Sequence, residues 1–208
     1  MSNYTFFFNP MSRAQIARWA FHEAGADYEP VFVDWKNKPR ALLEANSLGK
    51  LPTIIHHHNG HDHVVTEAAA VCHYLAEREA PDLLPRDDEK ADYFRWLFFA
   101  AGPLEQAVTA RAMGWEVAEN KQGMAGFGSY DRTIDALDGW LSKHDFVCGA
   151  RFTMSDVYLG SQVDWGLQFQ SMPTRESFEA YAARLRERDG YKQAKAIDNK
   201  LIEEMQRK

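Results

Sequence analysis

Cysteine is scarce in this sequence. Cys72 and Cys148 are the only two among 208 residues, and neither belongs to a CxxC motif. Two distant cysteines cannot form a disulfide framework, and free cysteine usually behaves as a small buried hydrophobe. The low cysteine content therefore predicts a cytoplasmic protein whose thiols stay reduced.

Long apolar runs and basic stretches are also absent. No stretch approaches the roughly 18 consecutive apolar residues of a membrane-spanning helix, and the N-terminus lacks the pattern of a secretory signal. The formal net charge is −6, from 24 basic and 30 acidic residues, and the basic residues form no stripe. These absences predict a protein that has no membrane association and no nucleic-acid partner.

Histidine, in contrast, is concentrated in one short segment, which contains His56, His57, His58, His61 and His63. A flexible turn does not preorganise a tetrahedral metal site, and no set of cysteines or carboxylates completes one here. The sequence therefore predicts no metal site.

The first third of the chain alternates short apolar runs with helical patterns. Residues 5–8 and 31–33 have the composition of buried strands, and a helical pattern that ends at Gly25 lies between them. Ser12 and Gln15 fit a capping box at the start of this helix. A strand, a helix and a strand in this order predict a parallel pair with a right-handed crossover.

A hairpin and another helix are predicted next. Pro52 opens a β-rich run over 51–55, and a further strand begins at 64–65 after a polar turn. The short spacing favours an antiparallel hairpin, and residues 67–77 follow with an apolar stripe at helical spacing. The predicted order is therefore βαβ-ββα.

Beyond residue 80 the patterns are helical throughout. Gly102-Pro103 is expected to kink or divide the first of these helices. Thr153 and Asp156 fit an N-cap and its acidic partner at the start of a later helix. The second part of the chain is therefore predicted to be a helical bundle.

Five motifs, in the order and near the positions of a known family, cover nearly the whole chain. They are FNPMSRA at 8–14, GADYE at 25–29, NSLGKLP at 46–52, EAAAVCHYL at 67–75 and GARFTMSD at 149–156. By these motifs the chain resembles the cytosolic glutathione transferase superfamily, and among its members the bacterial proteins that begin NPMSR.

The resemblance implies both the fold class and the domains. It implies an α/β thioredoxin-like, glutathione-binding domain over 1–79, a linker over 80–88, and an all-helical domain over 89–208 that shapes the pocket for a second substrate. It also implies a homodimer.

The activity implied by the resemblance joins the thiolate of glutathione, as co-substrate, to an electrophilic, largely apolar small molecule. Two alternatives stay open. One is glutathione-dependent reduction of disulfides or peroxides, and the other is a non-catalytic relative that binds ligands or a protein partner. Asn9 and Ala68 keep the second alternative open, because both depart from the residues usual in the family.

Ser12 and Asn9 are the candidates to stabilise the thiolate. The family's tyrosine position is Phe7 here, which has no donor, and its serine or cysteine position is Asn9. Ser12 follows three residues later, where its hydroxyl or its backbone N–H can face the sulfur. The alternatives are helix capping for Ser12 and a structural turn for Asn9, and which of the two leads is left open.

The peptide part of glutathione has its own implied contacts. The Leu51–Pro52 pair, joined by a cis bond, would offer backbone groups to the cysteinyl unit. Glu67 would accept from the γ-glutamyl amine, while the N-terminus of its helix receives the γ-glutamyl carboxylate. Ala68 replaces a serine of the family, and Thr66 is adjacent and can compensate. Lys50 would pair with the glycine carboxylate, with a solvated lysine as the alternative.

The second substrate is expected on the helical domain. The candidate residues are aromatic, apolar or basic, and they are Phe99, Arg111, Met113, Trp115, Phe127 and Phe169. Core packing is the alternative for the aromatic residues, because aromatic side chains at helical spacing usually pack.

Overall fold

The structure, a computed structural model, describes residues 3–207. Its four-stranded sheet has the order β2-β1-β3-β4. The strands are β1 (Tyr4–Phe8), β2 (Glu29–Phe32), β3 (Thr53–His58) and β4 (His61–Thr66). β1 pairs in parallel with β2 and antiparallel with β3, and β3 pairs antiparallel with β4. The predicted parallel pair and hairpin are confirmed.

Helices account for most of the remaining chain. In chain order they are α1 (Ala14–Ala24), α2 (Arg40–Ala45), α3 (Ala68–Glu79), α4 (Lys90–Phe99), α5 (Glu105–Ala112), α6 (Tyr130–Leu141), α7 (Met154–Gln168), α8 (Glu176–Arg186) and α9 (Asp189–Gln206). An α/β thioredoxin-like part is thus followed by a helical part, as the fold class predicted. Over residues 3–207 no helix combines the length and the apolar character that crossing a membrane requires.

The aromatic run of β1 is buried on both faces of the sheet. Phe7 packs in a buried cluster with Val33 and with Leu42 of α2. Phe6 contacts Phe21 of α1, with ring centroids 5.4 Å apart. Because helices cover both faces, β1 is apolar at successive positions rather than alternating.

The described chain divides into two compact units, one of residues 3–84 with 187–207 and one of Pro85–Arg186. The first unit includes α9, which packs on α1. The sequence analysis placed these last residues in the domain over 89–208. A helical apolar stripe shows that one face of α9 is covered, but it does not show which neighbour covers that face.

The helix that contains Gly102-Pro103 is interrupted but not broken. α4 runs through a π-helical turn, Ala100–Leu104, directly into α5. Pro103 has no N–H to donate to the preceding turn, and the wider π-turn accommodates it. The predicted interruption is confirmed.

The start of α1 differs from the predicted capping box. The Ser12 hydroxyl accepts from the Ala14 N–H at 3.1 Å and donates to the Asn9 carbonyl at 2.7 Å. The Gln15 side chain donates to the Pro10 carbonyl rather than reaching back to Ser12. The predicted box is therefore wrong, because Arg13 occupies the N-cap position of α1 and the turn before α1 brings the Pro10 carbonyl within reach of the Gln15 amide.

A buried carboxyl organises the start of α7. Asp156 accepts hydrogen bonds from the Thr153 N–H at 2.8 Å and hydroxyl at 3.0 Å, from the Val147 N–H at 2.7 Å and from the Tyr181 hydroxyl at 2.9 Å. The predicted Thr153–Asp156 cap is confirmed. Burial raises the pKa of Asp156 to about 6, because desolvation outweighs the donors that surround it.

Candidate functional site

The register of the sheet brings three predicted segments to one end of the first unit. Phe7 of β1 lies opposite Thr53 of β3, and Thr53 lies opposite Thr66 of β4. The turn after β1, the Leu51–Pro52 pair before β3 and Glu67 after β4 therefore lie at the same end of the sheet.

Asn9 holds the turn after β1. It is 1% exposed. Its amide nitrogen donates to the Val33 carbonyl at 2.9 Å, and its amide oxygen accepts from the Met11 N–H at 2.9 Å. Both ends of the amide are thus bonded within the fold, so Asn9 acts here as a positioning residue.

Ser12 lies on this turn, directly before α1, and is half-buried. Its hydroxyl is bonded to Asn9 and Ala14 as described above. Its own backbone N–H has no hydrogen-bond partner among residues 3–207. The hydroxyl proton is thus engaged by the Asn9 carbonyl, and the backbone N–H is the unbonded donor of Ser12 near the positive end of the α1 dipole, where a negative charge is stabilised.

The loop before β3 presents free backbone groups. The Leu51–Pro52 bond is cis, as the resemblance predicted. Asn46 donates to the Thr53 hydroxyl at 3.0 Å, and this hydroxyl donates to the Lys50 carbonyl at 2.9 Å. The N–H and C=O of Leu51 have no backbone partner in the described part of the chain. They are therefore available to an extended peptide.

Two of these loop residues were not singled out from the sequence. Asn46 and Thr53 are buried polar side chains that shape the loop. The NSLGKLP motif contains Asn46, but a motif does not show that its amide crosses to Thr53. The side chain of Lys50 is exposed and forms no ion pair within residues 3–207.

Glu67 has an uncommon backbone conformation, with φ 64° and ψ 116°. For a residue with a Cβ this conformation costs about 1–3 kcal/mol, and such strain collects at functional sites. The side chain is exposed and caps no N–H of α3. Ala68 follows as the first residue of α3, so Glu67 directly precedes the N–H groups that begin this helix.

Neither cysteine thiol is suited to nucleophilic chemistry near neutral pH. Cys72 is fully buried, and burial raises its pKa well above the usual range. Burial also raises the pKa of Cys148 to about 12. Tyr4, the tyrosine of β1, donates its hydroxyl to Glu79 at 2.6 Å. These groups are therefore bonded or protonated in the fold.

The histidine cluster lies toward the other end of the sheet. His56 pairs with Tyr4 at the beginning of β1, and their rings stack with centroids 4.4 Å apart. Burial lowers the pKa of His56. Over the described residues no three His, Cys, Asp or Glu side chains converge on a position for a metal ion.

A separate cavity of about 450 Å³ lies within the second unit. It is lined by three of the predicted pocket residues, Arg111, Trp115 and Phe127. The other three do not line it. Met113 and Phe169 are exposed, and Phe99 packs on Trp96 with ring centroids 4.9 Å apart.

The end of α5 places two of the lining residues. Gly114 has φ 68°, its N–H donates to the Arg111 carbonyl at 3.1 Å, and the Trp115 N–H donates to the Ala110 carbonyl at 2.8 Å. These two bonds form a Schellman motif, which needs the left-handed conformation that glycine adopts without strain. The motif turns the chain back, so that Arg111 and Trp115 line one cavity.

Tyr130 completes the cavity and was missed by the sequence analysis. Its ring lies 4.2 Å from the guanidinium carbon of Arg111, and its hydroxyl donates to the Ser171 carbonyl at 2.8 Å. Burial raises the pKa of Tyr130. No linear pattern signals this contact, because the two residues lie on different helices joined by an irregular segment.

The chain is similar in sequence to known proteins. The N-terminal domain of the glutathione S-transferase family matches residues 2–77. Glutathione S-transferase 1 of Schizosaccharomyces pombe is 30% identical over 158 residues, which cover 70% of this chain and 66% of that protein. Elongation factor 1-gamma of Artemia salina is 28% identical over 131 residues, which cover 58% of this chain and 28% of that protein. The chain thus spans less than two thirds of the length of either relative.

The fold is similar to that of solved structures over nearly the whole chain. One of them is the theta class glutathione S-transferase from the citrus canker pathogen Xanthomonas axonopodis pv. citri, solved with glutathione bound. The TM-score is 0.71 at 25% sequence identity, and the match covers 93% of this chain and 97% of that one.

Proposed function

Because the chain belongs to the glutathione transferase superfamily, we propose that it conjugates glutathione to an electrophilic, largely apolar small molecule. The observation that carries the proposal is the convergence at one end of the sheet. Ser12, the free backbone groups of Leu51 and the strained Glu67 meet there. The glutathione bound to the Xanthomonas relative supports the same ligand.

Each part of glutathione has a complementary group in this arrangement. The cysteinyl unit pairs with the N–H and C=O of Leu51, as an added strand would. The γ-glutamyl amine donates to the Glu67 carboxylate, and the γ-glutamyl carboxylate accepts from the first N–H groups of α3. Lys50 pairs with the glycine carboxylate. Ala68 has no hydroxyl to contribute, and Thr66 is the nearest one.

The reaction needs the thiol of glutathione as thiolate. Lowering a thiol pKa by two units from about 8.5 requires roughly 2.7 kcal/mol of preferential stabilisation. One hydrogen bond to a charged acceptor contributes about 1.5–3 kcal/mol, and a helix N-terminus about 0.3–1 kcal/mol. One donor of Ser12 is therefore sufficient, either its backbone N–H or its hydroxyl turned from the Asn9 carbonyl to the sulfur, with Asn9 positioning the residue.

In the chemical step, the sulfur forms a bond to the electrophilic carbon. In a displacement the leaving group departs with its electron pair, and in an addition the adduct takes a proton. The thiol proton is released to solvent when the thiolate forms. The contribution of the protein is proximity and thiolate stabilisation.

Calorimetric titration with glutathione tests the site. We expect Glu67→Ala to weaken glutathione binding at least about tenfold, because a charged hydrogen bond to the γ-glutamyl amine is lost. Glu67→Gly should weaken binding as much without loss of stability, since glycine relieves the positive φ.

Glu77→Gln, an exposed change in the last turn of the same helix, is the matched control and should bind glutathione like the wild type. Equal affinity of Glu67→Ala and wild type would remove Glu67 from the site, and absence of binding to the wild type would contradict the proposed function.

Ser12→Ala should lower the conjugation rate at pH 7 about tenfold and recover part of it toward pH 9. Without the hydroxyl the thiol pKa of bound glutathione rises by about one unit, and higher pH restores the thiolate. The pH profile of kcat/KM measures this effect, with Ser142→Ala as the control. If the ratio of the Ser12→Ala rate to the wild-type rate is constant across pH, the backbone N–H of this residue, and not the hydroxyl, stabilises the thiolate.

A second candidate function is non-catalytic binding. It is supported by the similarity to elongation factor 1-gamma, by Ala68, and by the bonded amide of Asn9. Glutathione binding without turnover of any electrophile would favour it. The homodimer and the cytoplasmic location remain predictions from the sequence.

A further inference from the structure

Arg111 is the one basic side chain among the described residues that line the cavity of the second unit. Arginines elsewhere in this unit, such as Arg151 and Arg175, bind carboxylates. Over residues 3–207 no carboxylate lies within ion-pair distance of the Arg111 guanidinium. The Arg111 guanidinium lies over the ring of Tyr130 instead, with its central carbon 4.2 Å from the ring centroid.

This stacked arrangement leaves the donors of Arg111 available. A cation over a ring face uses the ring's charge distribution and none of the N–H groups. The ring is itself fixed, because Tyr130 is the first residue of α6 and donates its hydroxyl to the Ser171 carbonyl at 2.8 Å. Arg111 is therefore held in place with donors that match a carboxylate in a bidentate manner.

The walls around Arg111 are partly apolar and partly polar. Trp115 is 64% exposed, although the Schellman turn holds its backbone. Phe127, Val117 and the alanines of α5 complete the apolar lining. An exposed, positioned indole beside an available guanidinium fits a ligand that has an aromatic or aliphatic body and one anionic group.

Two carboxylates limit the charge that the ligand can carry. Glu116 and Asp131 also line the cavity, and neither pairs with Arg111. They repel any negative charge on a ligand, so one anionic group is favoured only where it pairs directly with Arg111, and a further one is not. The lining is therefore suited to one anionic group placed at Arg111.

We infer that the second substrate is a monocarboxylate with an apolar body, whose carboxylate binds Arg111 and whose body contacts Trp115 and Phe127. The inference rests on the proposed function and adds to it that this cavity receives the second substrate. In this inference Arg111 makes the enzyme prefer an anionic electrophile over a neutral one. Tyr130 holds the Arg111 side chain in position.

Binding of two matched probes tests the inference without glutathione, so that no reaction occurs. The probes are 4-chloro-3-nitrobenzoate and its neutral amide, titrated calorimetrically into the full-length protein. At low salt we expect the carboxylate to bind about tenfold more tightly than the amide, the size of one charged hydrogen-bonded contact. High salt should reduce this preference.

Arg111→Gln should abolish the preference by weakening only the carboxylate. Arg132→Gln removes an exposed arginine of α6 that does not line the cavity, and it should keep the preference. With glutathione present, Arg111→Gln should raise KM for the carboxylate and leave KM for glutathione unchanged.

Equal binding of acid and amide to the wild type overturns the inference, as does an equal loss of both in Arg111→Gln. Tighter binding of a cationic benzylamine analogue would also overturn it. In that case Glu116 and Asp131, and not Arg111, would determine the charge of the ligand that binds. A failure of the proposed function is distinguished by the glutathione titration, in which Glu67-dependent binding would be absent.

Discussion

Asp156→Ala is expected to lower the free energy of unfolding by about 4 kcal/mol, because it leaves buried donors without an acceptor. The backbone N–H groups of Val147 and Thr153 and the hydroxyl of Tyr181 all donate to this carboxyl. Urea denaturation followed by circular dichroism measures the loss. Tyr181→Phe, which removes one donor and leaves the acceptor, should cost only about 1 kcal/mol.

The pH dependence of this loss has a definite sign. The pKa of Asp156 in the folded protein is about 6, above the value of about 3.9 expected in the unfolded chain. Its contribution to stability is therefore fully present below the unfolded pKa and decreases as pH rises through about 6. We expect Asp156→Ala to be more destabilising at pH 5 than at pH 8. A loss below about 1 kcal/mol at both pH values would contradict the role of this network.

Asp198→Ala is expected to destabilise the first unit by about 3–5 kcal/mol, because it leaves the charge of Arg18 buried without its counter-ion. The two side chains are each 2% exposed and 2.9 Å apart. Arg18 also donates to the Tyr28 hydroxyl at 2.7 Å and lies 4.4 Å from the centroid of the Phe8 ring. These contacts do not replace the lost carboxylate.

Hydrogen exchange of the α9 amides gives the decisive measurement for this pair. The amides should exchange faster in Asp198→Ala, since the helix loses its buried contact with α1. Asn199→Ala, an exposed change at the next position of α9, should leave exchange and stability unchanged. The double variant Arg18→Met with Asp198→Leu should recover part of the stability, because no unpaired charge remains. Unchanged exchange in Asp198→Ala would show that other contacts hold α9.

Local patterns predicted most of the element order. Gly25 ends α1 with φ 64°, as the stop signal indicated, and Pro52 precedes β3. These features are readable because turn and cap chemistry depends on neighbouring residues. The capping box at Ser12 failed for a related reason. The Gln15 amide could accept from the Ser12 N–H or donate to the Pro10 carbonyl, and the sequence pattern does not rank the two.

The candidate site was predictable in residue type but not in geometry. The motif identified Glu67, yet its positive φ was not predicted. Asn9 was predicted as a candidate beside Ser12, but its burial and its two amide contacts were not predicted. Tyr130 carried no signal, because its contact with Arg111 joins two helices.

By itself, the sequence determined the family and the order of strands and helices along the chain. The periodicity of strands and helices and the chemistry of turns depend on residues that are close together in the sequence. Only the tertiary structure decided that α9 packs on α1, through an ion pair between residues 180 positions apart, and that Arg111 stacks on a tyrosine instead of pairing with a carboxylate. Such contacts depend on which surfaces meet, and surfaces distant in sequence leave no periodic signal in either partner.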